Sequence, residues 1–210
     1  MSPLVFVDAD VLYSVTLRGW FFNLAHAGSH FSPAFEIVVT EDVIAEAVAR
    51  WRDDNALAPG GVVSAMSENL RTLCTVLRDY DCEIPFPGGD EGDIHVYAAA
   101  LEAGVGYLVT KDKGFHNLSD DVKDDLPFEI YHPDDFLVLV NAQSSRNVME
   151  ATRATMRHAL SKEQEVTSMV TMLRKNDCPR FADVVERHLA VLAGARPIEF
   201  DKLDDAPVGA

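Results

Sequence analysis

The run Gly89-Asp90-Glu91-Gly92-Asp93-Ile94-His95-Val96-Tyr97-Ala98-Ala99-Ala100 admits few folds. It is an acidic, glycine-loosened turn followed by a helix of small residues, and the alanines at 98 to 100 let that helix lie close on a sheet. Gly104 and Gly106 end the helix and turn the chain into Tyr107-Leu108-Val109-Thr110, a buried-strand pattern with Asp112 directly after it. Asp90 and Asp93 sit three apart at the helix start, where partial positive charge favours anions. The pattern predicts three carboxylates meeting at one edge of a sheet.

The rest of the chain supplies a sheet for them. Leu4-Val5-Phe6-Val7 is an apolar run closed by Asp8-Ala9-Asp10, and Glu36-Ile37-Val38-Val39 reads as a second strand. Thr40 then caps a helix whose apolar stripe is Ile44, Ala47, Val48 and Trp51, with Glu46 at its border. Helical spacing is also read from Leu12 to Trp20 and from Val62 to Leu77. Ile84-Pro85-Phe86-Pro87 is a rigid lead-in with room for a short strand, and residues 120–125 read as an exposed acidic loop. Phe128-Glu129-Ile130-Tyr131 is the final strand, and His132-Pro133-Asp134 turns into a capped helix. This alternation predicts an α/β domain with a mostly parallel sheet, in which ligands sit beyond the carboxyl ends of strands. Asp8 and Asp112 fall at such ends.

Charge divides the chain. Residues 1–140 hold 24 acids against 8 Lys and Arg, while residues 141–196 hold 9 basic residues against 6 acids. The expected division is a domain over 1–140, a small all-helical extension over 141–196 and an acidic tail over 197–210. An acidic first part argues against a nonspecific nucleic-acid coat but is compatible with an enzyme that holds divalent cations. No run approaches the length of a membrane span, and the first residues lack the pattern of a signal peptide. Cys74, Cys82 and Cys178 form no close metal-type pair, which fits a reducing cytoplasm.

A set of Asp and Glu with no accompanying Cys is a hard-oxygen site, suited to Mg²⁺ or Mn²⁺ rather than Zn²⁺. Val5-Phe6-Val7-Asp8, Val43-Ile44-Ala45-Glu46, Asp90-Glu91-Gly92-Asp93-Ile94-His95-Val96 and Val109-Thr110-Lys111-Asp112 with Phe115, in this order, resemble a PIN domain. The closest likeness is to VapC-like toxins of bacterial toxin–antitoxin modules, in a longer form with a helical C-terminal extension. The resemblance implies a three-layer α/β/α fold and a metal-dependent endoribonuclease that cleaves tRNA or another structured RNA with metal-activated water. It also implies a cognate antitoxin that covers the site, and a homodimer. Carried over position by position, Asp8, Glu46, Asp93 and Asp112 hold Mg²⁺ or Mn²⁺, with Asp90 as a fifth acid. Thr110, Asp10 and His95 stand behind them. Asp10 departs from the family pattern, in which many members carry a small polar residue.

His95 reads as a hydrogen-bonded helix residue near the site rather than a metal ligand, and His188 as a satisfied core or interface histidine. Arg50, Arg52, Lys111, Arg146, Arg153 and Arg157 are candidate contacts to RNA phosphates, weighed against an ordinary solvated face. Two rivals remain. Phe6-Val7-Asp8-Ala9-Asp10 imitates the nucleophile motif of haloacid-dehalogenase-like phosphatases, in which Asp8 would be phosphorylated and Asp10 would be the acid/base. The later acids are three rather than four apart, which argues against it. The other rival is a non-catalytic PIN-like binding module.

Overall fold

A computed structural model describes residues 2–26, 33–88, 91–162 and 168–194. Asp90 and the tail over 197–210 lie outside the described residues. The chain begins with β1 (Leu4–Val7), α1 (Ala9–Leu12) and α2 (Val15–Ala25), followed by β2 (Glu36–Thr40) and α3 (Glu41–Asp54). Next come α4 (Gly60–Leu73), β3 (Thr75–Leu77), a 3₁₀ turn (Glu91–Asp93) and α5 (Ile94–Glu102). Then follow β4 (Tyr107–Val109), α6 (Lys113–His116), α7 (Asp120–Asp124) and β5 (Glu129–Tyr131). The chain closes with α8 (Pro133–Gln143), α9 (Ser145–Ser161), α10 (Ser168–Lys175) and α11 (Pro179–Leu192).

The fold is α/β. Among the described residues five strands form one sheet in the order β3-β2-β1-β4-β5, every neighbouring pair parallel. Val5, Phe6 and Val7 are wholly buried, as a central strand covered on both faces requires. Val5 pairs with Ile37 on one side and Tyr107 on the other. The order therefore reverses at β1. Right-handed crossovers running in opposite directions from that strand place their helices on opposite faces, an arrangement compatible with three α/β/α layers.

Several elements differ from the sequence reading. Leu77 does not continue the α4 helix: Cys74 is extended and Thr75-Val76-Leu77 becomes edge strand β3 against Val38 to Thr40. The helix read from Leu12 to Trp20 is split, because the Ser14 hydroxyl accepts from the Leu17 amide and restarts the chain as α2. Residues 84–87 carry no strand. The acidic 120–125 stretch is not all loop, since Ser119 caps the short helix α7. The αL turn at Gly104, φ 59°, ends α5 as its sequence demands.

The helices after β5 do not stand apart from the sheet. Trp20 on α2 meets Phe181 on α11 edge-on at 5.1 Å, and both belong to the buried cluster that contains β1. Asn23 Nδ2 donates to Thr155 Oγ1 at 3.1 Å, joining α2 to α9. His188 Nε2 lies 2.8 Å from Asn141 Oδ1, a satisfied buried histidine whose pKa burial lowers. Among the described residues no helix is long and apolar enough to cross a membrane.

Asp134 fixes α11 to α8. It is 5% exposed, and its two oxygens accept from the amides of Arg180 (3.1 Å) and Phe181 (2.8 Å) at the start of α11. Asp134→Ala leaves two amides unsatisfied and should cost about 2 kcal/mol in urea unfolding. Asp134→Asn, which keeps one acceptor, should cost less.

Candidate functional site

The crevice between β1 and β4, where strand order reverses, is the place for a site in an open parallel sheet. Asp8 leaves β1 as the N-cap of α1. Its Oδ1 accepts from the Ala9 amide at 2.6 Å and its Oδ2 from the Thr110 hydroxyl at 2.7 Å. Thr110 follows β4 and is wholly buried. Its hydroxyl also lies 3.3 Å from Asp10 Oδ2, which accepts from the Lys111 amide at 2.7 Å. Asp10 Oδ1 is buried and, among the described residues, has no hydrogen-bond partner.

Burial raises the pKa of Asp8 against the lowering pull of Thr110 and Ala9, with the charge of Glu46 adding to the rise. Burial, then the neighbouring Asp8, pushes Asp10 up to about 7. These two shifts belong to one pair of acids gathered round one hydroxyl.

A second pair stands beside it. The Asp112 amide donates to Thr110 Oγ1 at 2.9 Å, and the Asp112 Oδ1 accepts from Gly114 at 2.5 Å as the N-cap of α6. Asp93 ends the 3₁₀ turn that leads into α5. A Cβ placed on Gly114 would stand 2.5 Å from Asp93 Oδ2 and 2.9 Å from Asp112 Oδ1, so both carboxylates converge where only hydrogen fits. Sequence reasoning missed Gly114, although a glycine two residues after an Asp at a helix start is an Asx-turn signal.

Glu46 faces this edge from α3, which packs on α1, and its charge reaches Asp8. Its Oε1 is held 2.6 Å from Arg50 Nη2. His95 Nε2 is buried without a hydrogen-bond partner among the described residues. The donors brought together are otherwise all carboxylate and hydroxyl oxygens, a set that fits a hard divalent cation. Among the described residues no group of three or more His, Cys, Asp or Glu stands ready to hold an ion. The acids come as two pairs linked through Thr110.

The candidate phosphate-binding cations are mostly engaged. Arg50 pairs with Glu46, Arg52 donates to the Ala58 carbonyl, and Arg153 lies 2.5 Å from Glu150. Lys111 Nζ is turned onto Asn176 and Asp177. Arg146 and Arg157 lie with Arg153 on α9, which packs chiefly on α2, α8 and α11, and Arg157 is exposed. Comparison with protein-family models, curated proteins and solved structures found no match.

Two measurements test this geometry. Gly114→Ala should destabilise the protein by about 2 kcal/mol through overpacking, whereas Gly19→Ala, with open space around the new Cβ in α2, should be neutral or stabilising. Asp10 has a folded pKa of about 7 against an ordinary 3.8, so the folded state binds the extra proton between those values. Stability contributed by that proton is full below pH 4 and lost as pH rises through 7. In EDTA, Asp10→Asn should therefore raise the melting temperature at pH 8, by on the order of 2 kcal/mol of stability, and flatten the pH dependence. An unchanged pH profile would show that Asp10 is not buried as described.

Proposed function

We propose that this protein is a metal-dependent endoribonuclease of the PIN type, the toxin of a toxin–antitoxin module. The observation that carries the reading is the pairing of buried Asp8 with half-buried Asp10 around Thr110, at the β1–β4 crevice where Asp112 also joins the network. Two carboxylates held this close together raise each other's proton affinity, and a divalent cation relieves that repulsion.

Asp8, Asp93 and Asp112, with Glu46 at the border, are the residues that would hold Mg²⁺ or Mn²⁺. Such an ion supplies Lewis acidity toward water and toward phosphate oxygens. The chain's own groups do the positioning. Thr110 donates to Asp8 Oδ2 and accepts from the Asp112 amide, fixing two of the acids relative to each other. Asp10 Oδ1 is the open atom at which a proton can be held near neutral pH. With a net charge of −16 the chain repels RNA at long range, so cations at the site serve the approach of phosphate as well as the reaction. In this reading the substrate is tRNA or another structured RNA, and a cognate antitoxin silences the enzyme by covering the crevice.

One observation favours a second reading. The raised pKa of Asp10, two residues after Asp8, suits the acid/base of a haloacid-dehalogenase-like phosphatase. Against it, both oxygens of the would-be nucleophile Asp8 already accept hydrogen bonds.

Purified protein incubated with total RNA should give discrete fragments with Mg²⁺ or Mn²⁺, none with EDTA, and none from Asp8→Asn or Asp93→Asn. Asp10→Asn should only weaken the cleavage. No cleavage by folded protein, together with hydrolysis of p-nitrophenyl phosphate that Asp10→Asn abolishes, would establish the phosphatase instead. Silence in both assays would leave a binding module.

A further inference from the structure

The turn between α10 and α11 lies against the candidate site. Asp177, at φ 62° in the left-handed region that Asp and Asn tolerate, ends α10, and the Cys178 amide closes the turn on the Leu173 carbonyl at 3.0 Å. Asn176, just before it, touches two distant parts of the chain. Its Oδ1 accepts from the Ser14 hydroxyl at 2.6 Å, and its carbonyl accepts from Lys111 Nζ at 2.9 Å. Lys111 Nζ also lies 3.3 Å from Asp177 Oδ2, and its side chain is only 22% exposed.

The two parts are those that carry the acids. Ser14 closes the short segment that begins with Asp8 and Asp10. Lys111 sits between Thr110 and Asp112, and its own amide holds Asp10 Oδ2. We infer that Asn176 and Lys111 are positioning residues, through which the C-terminal helices hold the β1–α1 and β4–α6 segments at the spacing the site requires. This deepens the nuclease reading and rests on it for its catalytic meaning. It also accounts for Lys111 differently from a phosphate contact, since the ammonium already serves two acceptors within the protein.

The test compares Lys111→Met, Lys111→Arg and Arg174→Met in the full chain. Arg174 pairs with Asp183 and Glu186 within the same helices and does not touch the site. The primary readout is hydrogen exchange of the Asp112 and Gly114 amides, which needs neither metal nor RNA. Lys111→Met should speed it about tenfold, because a charge-assisted hydrogen bond is lost; Arg174→Met should leave it unchanged and Lys111→Arg should largely restore it. Calorimetric titration with Mn²⁺ should show affinity about tenfold weaker in Lys111→Met alone, the usual size of an effect on ligand orientation. Unchanged exchange in Lys111→Met overturns the inference, above all if RNA binding falls at the same time, which would make Lys111 a phosphate contact. Absence of Mn²⁺ binding by the unsubstituted protein would overturn the nuclease reading, and the exchange rates would still decide the positioning role.

Discussion

The hydrogen bond from Thr110 to Asp8 joins the ends of two neighbouring strands that lie 102 residues apart in sequence. A carboxylate at the end of a buried central strand has few ways to remain there. Asp8 is 8% exposed, and the Thr110 hydroxyl and the Ala9 amide are the donors that make its charge tolerable. The same hydroxyl faces Asp10 and takes the amide of Asp112, so three acids depend on one side chain. Removing its oxygen would leave Asp8 short of a donor, Asp10 closer to an unrelieved like charge, and the α6 cap without its anchor.

The framework was largely legible because its elements are locally consistent. Apolar runs ending in acids mark β1 and β4, Thr40 caps α3 through the Val43 amide, and Gly104 adopts the φ its position demands. The failures have local causes. Leu70, Leu73 and Leu77 keep helical spacing across the end of α4, so periodicity alone could not detect that Cys74-Thr75-Val76 had turned extended. Ser119 before two aspartates is a capping signal that the acidity of the stretch concealed.

The candidate site was legible as acids at strand and helix ends but not as a network. Spacing brings out Asp8, Asp93 and Asp112, yet nothing local shows that Asp10 shares a hydroxyl with Asp8 or that Gly114 is the gap into which Asp93 and Asp112 fit. The fate of Lys111 depends on where α10 and α11 pack, and that is set by Trp20, Phe181 and Asp134, far from it in sequence. The basic excess of residues 141–196 is likewise misleading as a count. Arg153 faces Glu150 and Arg174 faces Asp183 with Glu186, acids of the same stretch, while Arg180 faces Asp135 outside it, so three of its nine cations are engaged on the protein's own surface. Exposed pairs of this kind add little stability, but they lower the field available to a polyanion.

The pairing of Val5 with Tyr107 has a consequence for a chain being synthesised. On the ribosome β1 and β2 can meet early, but β1 has no second neighbour until about half of the 210 residues have emerged. Asn176 arrives later still. The first acids are therefore made long before the segments that bury and align them, and the assembled crevice is among the last features of the molecule to form.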